Sequence, residues 1–183
     1  LREALEAASP YYAAAWGNPS SIHRLGRDAR MAVEDARAQV AQLLGVSNPL
    51  DLVFTSGGTE AINLAIRGWA LGNRARGGHL ITTAIEHPAV LDTCRALEQA
   101  GFTVTYVPVD GRGRVDPDSL GRAIRPDTSL LSVIHGNHEV GTLQPLAELA
   151  EVARAHGVPI HVDATQAVGR IAIDVEAWGI DLL

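Results

Sequence analysis

Leu25, Ala29, Ala32, Val33, Ala36, Val40, Leu43 and Leu44 recur at intervals of three and four residues, and Gly45 follows them as a stop. This spacing predicts a long amphipathic helix over 25–44. Beyond it the pattern changes. Short apolar runs at 52–55, 79–83, 102–108, 129–135 and 158–162 read as strands. Helical patterns separate them: one over about 59–71, one with Pro88 in its first turn and a stop at Gly101, one after Asp116 and Pro117, and one between Pro145 and Gly157. Strands that alternate with helices require crossover connections, which predicts an α/β class with a mostly parallel sheet and helices on both faces. Segments 72–78 and 110–114 are polar and turn-rich and read as loops. The last residues, Ile180 to Leu183, look like the opening of another buried strand, as a truncated chain would show.

Composition narrows the function classes. A chain of 183 residues is long enough for one domain with a substantial core. The net charge of −6 comes from fifteen arginines against twenty-one acids, with no basic run, so neither nucleic acid nor an anionic membrane is expected as a partner. No apolar stretch approaches the roughly 20 residues that span a bilayer, and neither end carries a signal-like pattern. A single cysteine, Cys94, leaves no internal disulfide framework and fits a cytoplasmic protein. Its neighbours Leu91, Ala96 and Leu97 lie on a predicted helix, where a small buried residue is expected rather than a reactive thiol.

In open α/β sheets ligands bind beyond the carboxyl ends of the strands. The polar residues that follow each apolar run are therefore the candidates. Ser56, Gly57, Gly58 and Thr59 follow the first, Glu86 and His87 the second, Asn137, His138 and Glu139 the fourth, and Asp163, Thr165 and Gln166 the fifth. Two glycines and a threonine at a helix start suit an anion such as a phosphate, although Ser56 reads equally as a helix cap. His87 before Pro88 reads either as a cap or as a proton-handling group. Asp163 is the sharper signal, because an acid directly after a buried strand needs a charged partner or a costly desolvation. A separate reading takes His135, His138, His161 and Asp163 as ligands of a transition metal. Strand alternation weighs against their convergence, and no metal is expected.

Six phrases in order match one family: NPSSIH at 18–23, SGGTE at 56–60, EHPAVLD at 86–92, DGRGRV at 110–115, NHEVGTLQP at 137–145 and HVDATQ at 161–166. On these the chain resembles the cysteine desulfurases of the class V aminotransferase group. The resemblance implies the large domain of the pyridoxal 5'-phosphate (PLP) dependent transferase fold type I, with residues 1–183 as a partial cofactor-binding domain and the small C-terminal domain absent. It implies conversion of L-cysteine to L-alanine with the sulfur kept as an enzyme persulfide for iron-sulfur cluster or thio-cofactor assembly. A homodimer and a sulfur-acceptor or scaffold protein as partner are implied as well. Other class V enzymes, an aminotransferase or a selenocysteine or sulfinate lyase, share much of the pattern, and a non-catalytic fragment is a further alternative.

The resemblance also assigns roles. Asp163 stands where a carboxylate pairs with the cofactor's pyridinium nitrogen, and Gln166 where an amide reaches its phenolic oxygen. Gly58 and Thr59 take the phosphate. His87 occupies the position that stacks on the ring and moves protons. His138 departs from the pattern: the family usually has a second asparagine there, contacting the phenolic oxygen, and a histidine can donate a hydrogen bond in its place. The family holds its cofactor as an imine on a lysine, and this chain contains no lysine. The resemblance places that residue beyond Leu183, with the acceptor cysteine, and predicts that the 183 residues alone do not turn over.

Overall fold

The computed structural model describes residues 1–183. The chain divides into two compact units, Leu1–Val53 and Phe54–Leu183. The first contains helix α1 (Arg2–Ala13), helix α2 (Arg24–Leu44) and a single 3-10 turn at Pro49–Asp51. The predicted amphipathic helix is α2. His23 caps it by accepting the amide of Gly26 through Nδ1 at 3.3 Å, and Gly45 ends it in the left-handed region at φ 68°. No element was expected over helix α1: Leu5, Ala8 and Tyr12 recur at helical spacing, but Pro10 lies within it and none of its residues is buried.

The second unit contains α3 (Gly58–Ile62), a π-helical turn (Asn63–Arg67), α4 (Gly68–Gly72), β1 (His79–Thr83), α5 (Pro88–Gln99), β2 (Thr103–Val107), α6 (Pro117–Ala123), β3 (Thr128–Ile134), α7 (Leu146–Ala155), β4 (Ile160–Asp163) and α8 (Val175–Trp178). The four strands are parallel in the order β2-β1-β3-β4. Their side chains alternate between two cores. Leu80 and Leu130 pack with Ile62, Ile66, Val90 and Leu97 on one face, while Ile81, Leu131 and Val133 pack with Leu120, Leu149 and Ala153 on the other. Helices therefore cover both faces, as the α/β reading requires.

One predicted strand is absent. Residues 52–55 join no sheet, and Val53 and Phe54 are 65% and 50% exposed. An apolar run becomes a strand only where a neighbouring backbone completes its ladder, and none pairs with this one. Instead the Leu52 carbonyl accepts the Arg37 guanidinium. The other strands stand within two residues of their predicted bounds. At the far end, Leu182 makes one parallel bridge to His161, with the Val162 amide donating to the Leu182 carbonyl at 2.8 Å. This agrees with the strand-like reading of 180–183.

Candidate active site

Each candidate side chain stands where a strand ends or a helix begins. Thr83 closes β1, and four residues later His87 caps α5, its Nδ1 accepting the Ala89 amide at 3.1 Å while Pro88 takes the first helical position. After β3 the chain makes a short hairpin-like loop. The Asn137 amide donates to the Thr142 carbonyl at 3.0 Å, and Asn137 Oδ1 accepts the amides of Glu139 and Val140, both at 2.9 Å. Asn137 Nδ2 reaches back to the Ile85 carbonyl at 2.9 Å, tying this loop to the one that carries His87. Asn137 thus acts in the framework, and His138 is the exposed residue it presents.

Asp163 is the last residue of β4 and is 6% exposed. Its Oδ1 accepts the Thr165 amide at 3.0 Å and its backbone carbonyl accepts the His135 amide at 2.9 Å. Gln166 gives its side-chain oxygen to Arg170 Nη1 at 2.5 Å, which leaves its amide NH2 as the uncommitted end. At the start of α3, Gly57 provides no side-chain cap, so the amides of the first turn have no side-chain acceptor. Ser56 is not that cap: its amide and hydroxyl both donate to Glu60 Oε2 at 2.6 Å.

Gly58, Thr59, His87, His138, Asp163 and Gln166 line one cavity of about 240 Å³. Ile62, Ile134, Gly136 and Thr165 complete its wall. A Cβ at Gly58 would lie 3.1 Å from Thr165 Oγ1, so a side chain there would fit only if Thr165 shifted by a few tenths of an ångström. The cavity combines a buried carboxylate, an uncapped helix start, an amide donor and two imidazoles. Thr165 stood among the polar candidates after the fifth apolar run without an assigned role, and the apolar wall was not anticipated. For Ile62 and Ile134 no signal existed, because wall and core residues look alike in sequence.

The remaining titratable groups do different work. Glu86 is buried, with Oε1 accepting Thr83 Oγ1 at 2.5 Å and the Ile134 amide at 2.9 Å, while Oε2 has no partner. Burial pushes its carboxyl up to about 8, the nearby Asp163 charge adds to that, and the two hydrogen bonds pull against it. His161 Nδ1 shares a hydrogen bond with Ser132 Oγ at 2.9 Å, and burial drives it down to about 4 against the pull of Asp163. His135 packs edge-on against Trp178 with ring centroids 5.6 Å apart. No three His, Cys, Asp or Glu side chains gather as metal ligands, so the alternative of a four-residue metal site has no geometric basis.

Cys94 is 1% exposed, and its thiol is pushed up to about 12, first by burial and then by the charges of Glu86 and Glu98. A thiol held in this way is not a nucleophile. A maleimide should label it only after denaturation. Prompt labelling of the folded protein would contradict this.

The class V aminotransferase family model, described as "Aminotransferase class-V", matches residues 1–183. The chain belongs to that family. Cysteine desulfurase IscS of Dictyoglomus turgidum is 46% identical over 182 residues, which is 100% of this chain and 46% of that protein. Putative cysteine desulfurase IscS 1 of Bacillus subtilis is 50% identical over 179 residues, covering 98% of this chain and 47% of that protein. Among solved structures, one described as SspA in complex with cysteine superposes with a TM-score of 0.94 at 40% identity, over 99% of this chain and 52% of that one. A NifS-like protein gives the same TM-score at 39% identity, over 98% and 50% respectively. This class V chain thus spans about half the length of the relatives it matches. Pyridoxal phosphate is the cofactor of the family and of these desulfurases, and no helix of the chain is long and apolar enough to cross a membrane.

Proposed function

We propose that these residues are the partial large domain of a PLP-dependent cysteine desulfurase, which converts L-cysteine to L-alanine and retains the sulfur as a persulfide. The observation that carries this reading is the convergence of Gly58, Thr59, His87, Asp163 and Gln166 on one cavity. The donor set fits the cofactor. The first amides of α3 and the Thr59 hydroxyl would hold the phosphate, where the helix dipole favours an anion. The buried Asp163 carboxylate would sit against the ring nitrogen and keep a proton on it, with its orientation fixed by the Thr165 amide. Gln166, its oxygen occupied by Arg170, would donate its amide to the phenolic oxygen. His87 would cover the ring with its imidazole face.

When bound, the cofactor supplies an electron sink for the amino-acid substrate. The protein's part is to hold a charge against it, exclude water with Ile62 and Ile134, and manage protons at the imidazoles. Because no lysine is present in these residues, we infer that the amine fixing the cofactor comes from the rest of the full-length protein. A homodimer, a sulfur-acceptor protein and a cytoplasmic setting belong to the same reading.

The test uses protein made from the complete gene. Given PLP and L-cysteine, it should form alanine and enzyme-bound sulfur in equal amounts. Cofactor binding with no alanine formed would overturn the desulfurase reading and leave another class V activity.

A further inference from the structure

The turn that carries His87 is tied to the sheet by side chains. β1 pairs with β3 as far as Ile81 with Leu131, three residues short of Ile134. On the β2 side the ladder continues past Thr83, with the Ala84 amide donating to the Val107 carbonyl at 3.0 Å. On the β3 side a carboxyl takes over. Glu86 Oε1 accepts the Ile134 amide at 2.9 Å and the Thr83 hydroxyl at 2.5 Å, so it stands in the place of a strand carbonyl and closes the turn onto the end of β1. Ile134 is in register with Asp163 of β4 and lines the cavity together with His87. One oxygen thus links the turn before His87 to the strand end that runs between β1 and β4. A buried acid is a costly way to make two hydrogen bonds. Glu86 is 5% exposed, its Oε2 has no partner, and Asp163 lies near enough to oppose a second charge. Burial raises its carboxyl to about 8, so the bridge is neutral at pH 7. Neither bond needs the charge, since a carbonyl-type oxygen accepts two hydrogens through its two lone pairs.

We propose that Glu86 is a positioning residue for the reaction at this cavity: its Oε1 bridges the ends of β1 and β3, fixes the 84–87 turn, and so holds the His87 ring at the cavity wall. Glu86 does not line the cavity itself. It acts through His87, which follows it directly in the chain and caps α5. Without the bridge the Ile134 amide loses this acceptor and the turn loses its tie to β3 itself, keeping only the bond from Asn137 in the following loop. The role rests on the desulfurase reading for its reaction, whereas the bridge is a property of the protein alone.

The test uses full-length protein and sets Glu86→Met, which fills the space without an acceptor, against Glu86→Gln, which keeps one. In cofactor-free protein, Glu86→Met should speed hydrogen exchange at the Ile134 amide and shift the NMR signals of the His87 ring, while Glu86→Gln stays close to wild type in both. In the loaded enzyme, kcat per folded, cofactor-bound molecule should fall at least about tenfold in Glu86→Met with KM little changed, within the hundredfold that a misplacement of about 1 Å can cost. Glu86→Gln should recover most of that loss. In a His87→Asn background, where a side-chain oxygen still caps α5, Glu86→Met should have little further effect on kcat, because effects routed through one residue do not add. A residue that only stabilised the fold would lower the melting temperature and leave kcat per folded molecule as it was. Thr83→Val removes the second donor to Oε1 and should repeat the His87 shift and the fall in kcat on a smaller scale; it takes the place of Glu86→Met if that variant does not fold. An unmoved His87 ring or wild-type kcat in Glu86→Met, a Glu86→Gln variant as impaired as Glu86→Met, or an undiminished effect in the His87→Asn background would overturn the proposal. A full-length protein that forms no alanine defeats the functional reading, and the exchange and ring signals still decide whether Glu86 positions His87.

Discussion

Replacing Asp163 with asparagine in the full-length protein is expected to lower kcat by about 10²–10³-fold, the loss seen when one preorganised electrostatic group is removed from a dry site. The substitution keeps the shape of the side chain and an oxygen for the Thr165 amide, so the loop after β4 should hold its position. What disappears is the charge. Asp163 is 6% exposed at the end of a strand, where an anion acts through a low dielectric and is worth far more than on a surface. On the proposed reading, a proton on the cofactor's ring nitrogen would then have no counterion. The measurement is kcat for alanine formation together with the absorption spectrum of the bound cofactor. A variant retaining more than about a third of wild-type kcat would show that the carboxylate has no such role, since 1.4 kcal/mol already corresponds to tenfold.

Stability should fall on both sides of a plateau, because two buried groups refuse their usual charges. Glu86 is neutral in both states below its ordinary value of 4.5. Above 4.5 the unfolded chain releases the proton while the folded one keeps it until about 8. Folding thus loses stability as pH rises through that window, by about 5 kcal/mol in all. His161 has the opposite sign. Above 6.5 it is neutral in both states, and below 6.5 the unfolded chain takes a proton that the folded one declines until about 4. Its contribution, about 3 kcal/mol, is therefore lost as pH falls through that window. Between 4.5 and 6.5 the two slopes cancel. Urea unfolding of the full-length protein over this range should trace the plateau and both declines. Glu86→Gln should flatten the alkaline decline, since its amide needs no charge and replaces the unpartnered Oε2. An alkaline decline of equal steepness in that variant would remove Glu86 as the cause.

Much of the second unit was legible because its elements obey simple periods and carry their own punctuation. Pro88 after His87, Asp116 before Pro117, and Gly101 and Gly157 at helix ends mark boundaries that the structure places within about two residues. The strand predicted at 52–55 failed because apolar content measures what wants burial, whereas a strand also needs a partner for its amides. Helix α8, four residues long between Asp174 and Gly179, is too short to show a period. The π turn within α3 to α4 leaves no mark in the hydrophobic pattern either, since it shifts hydrogen bonds rather than side-chain chemistry.

The site divides in the same way. Sequence alone determined which polar residues follow each strand and open each helix, because chain order and residue type are local properties. It also determined that no side-chain primary amine exists in these 183 residues. Only the tertiary structure decided that loops separated by up to about a hundred residues close on one cavity, and that Asn137 braces while its neighbour His138 is presented. It alone decided that Glu86 is buried with an orphan oxygen and that one histidine spends its lone pair on a helix cap. Burial and hydrogen-bond partnership depend on residues distant in the chain, and those partners set the protonation state of an ionisable side chain.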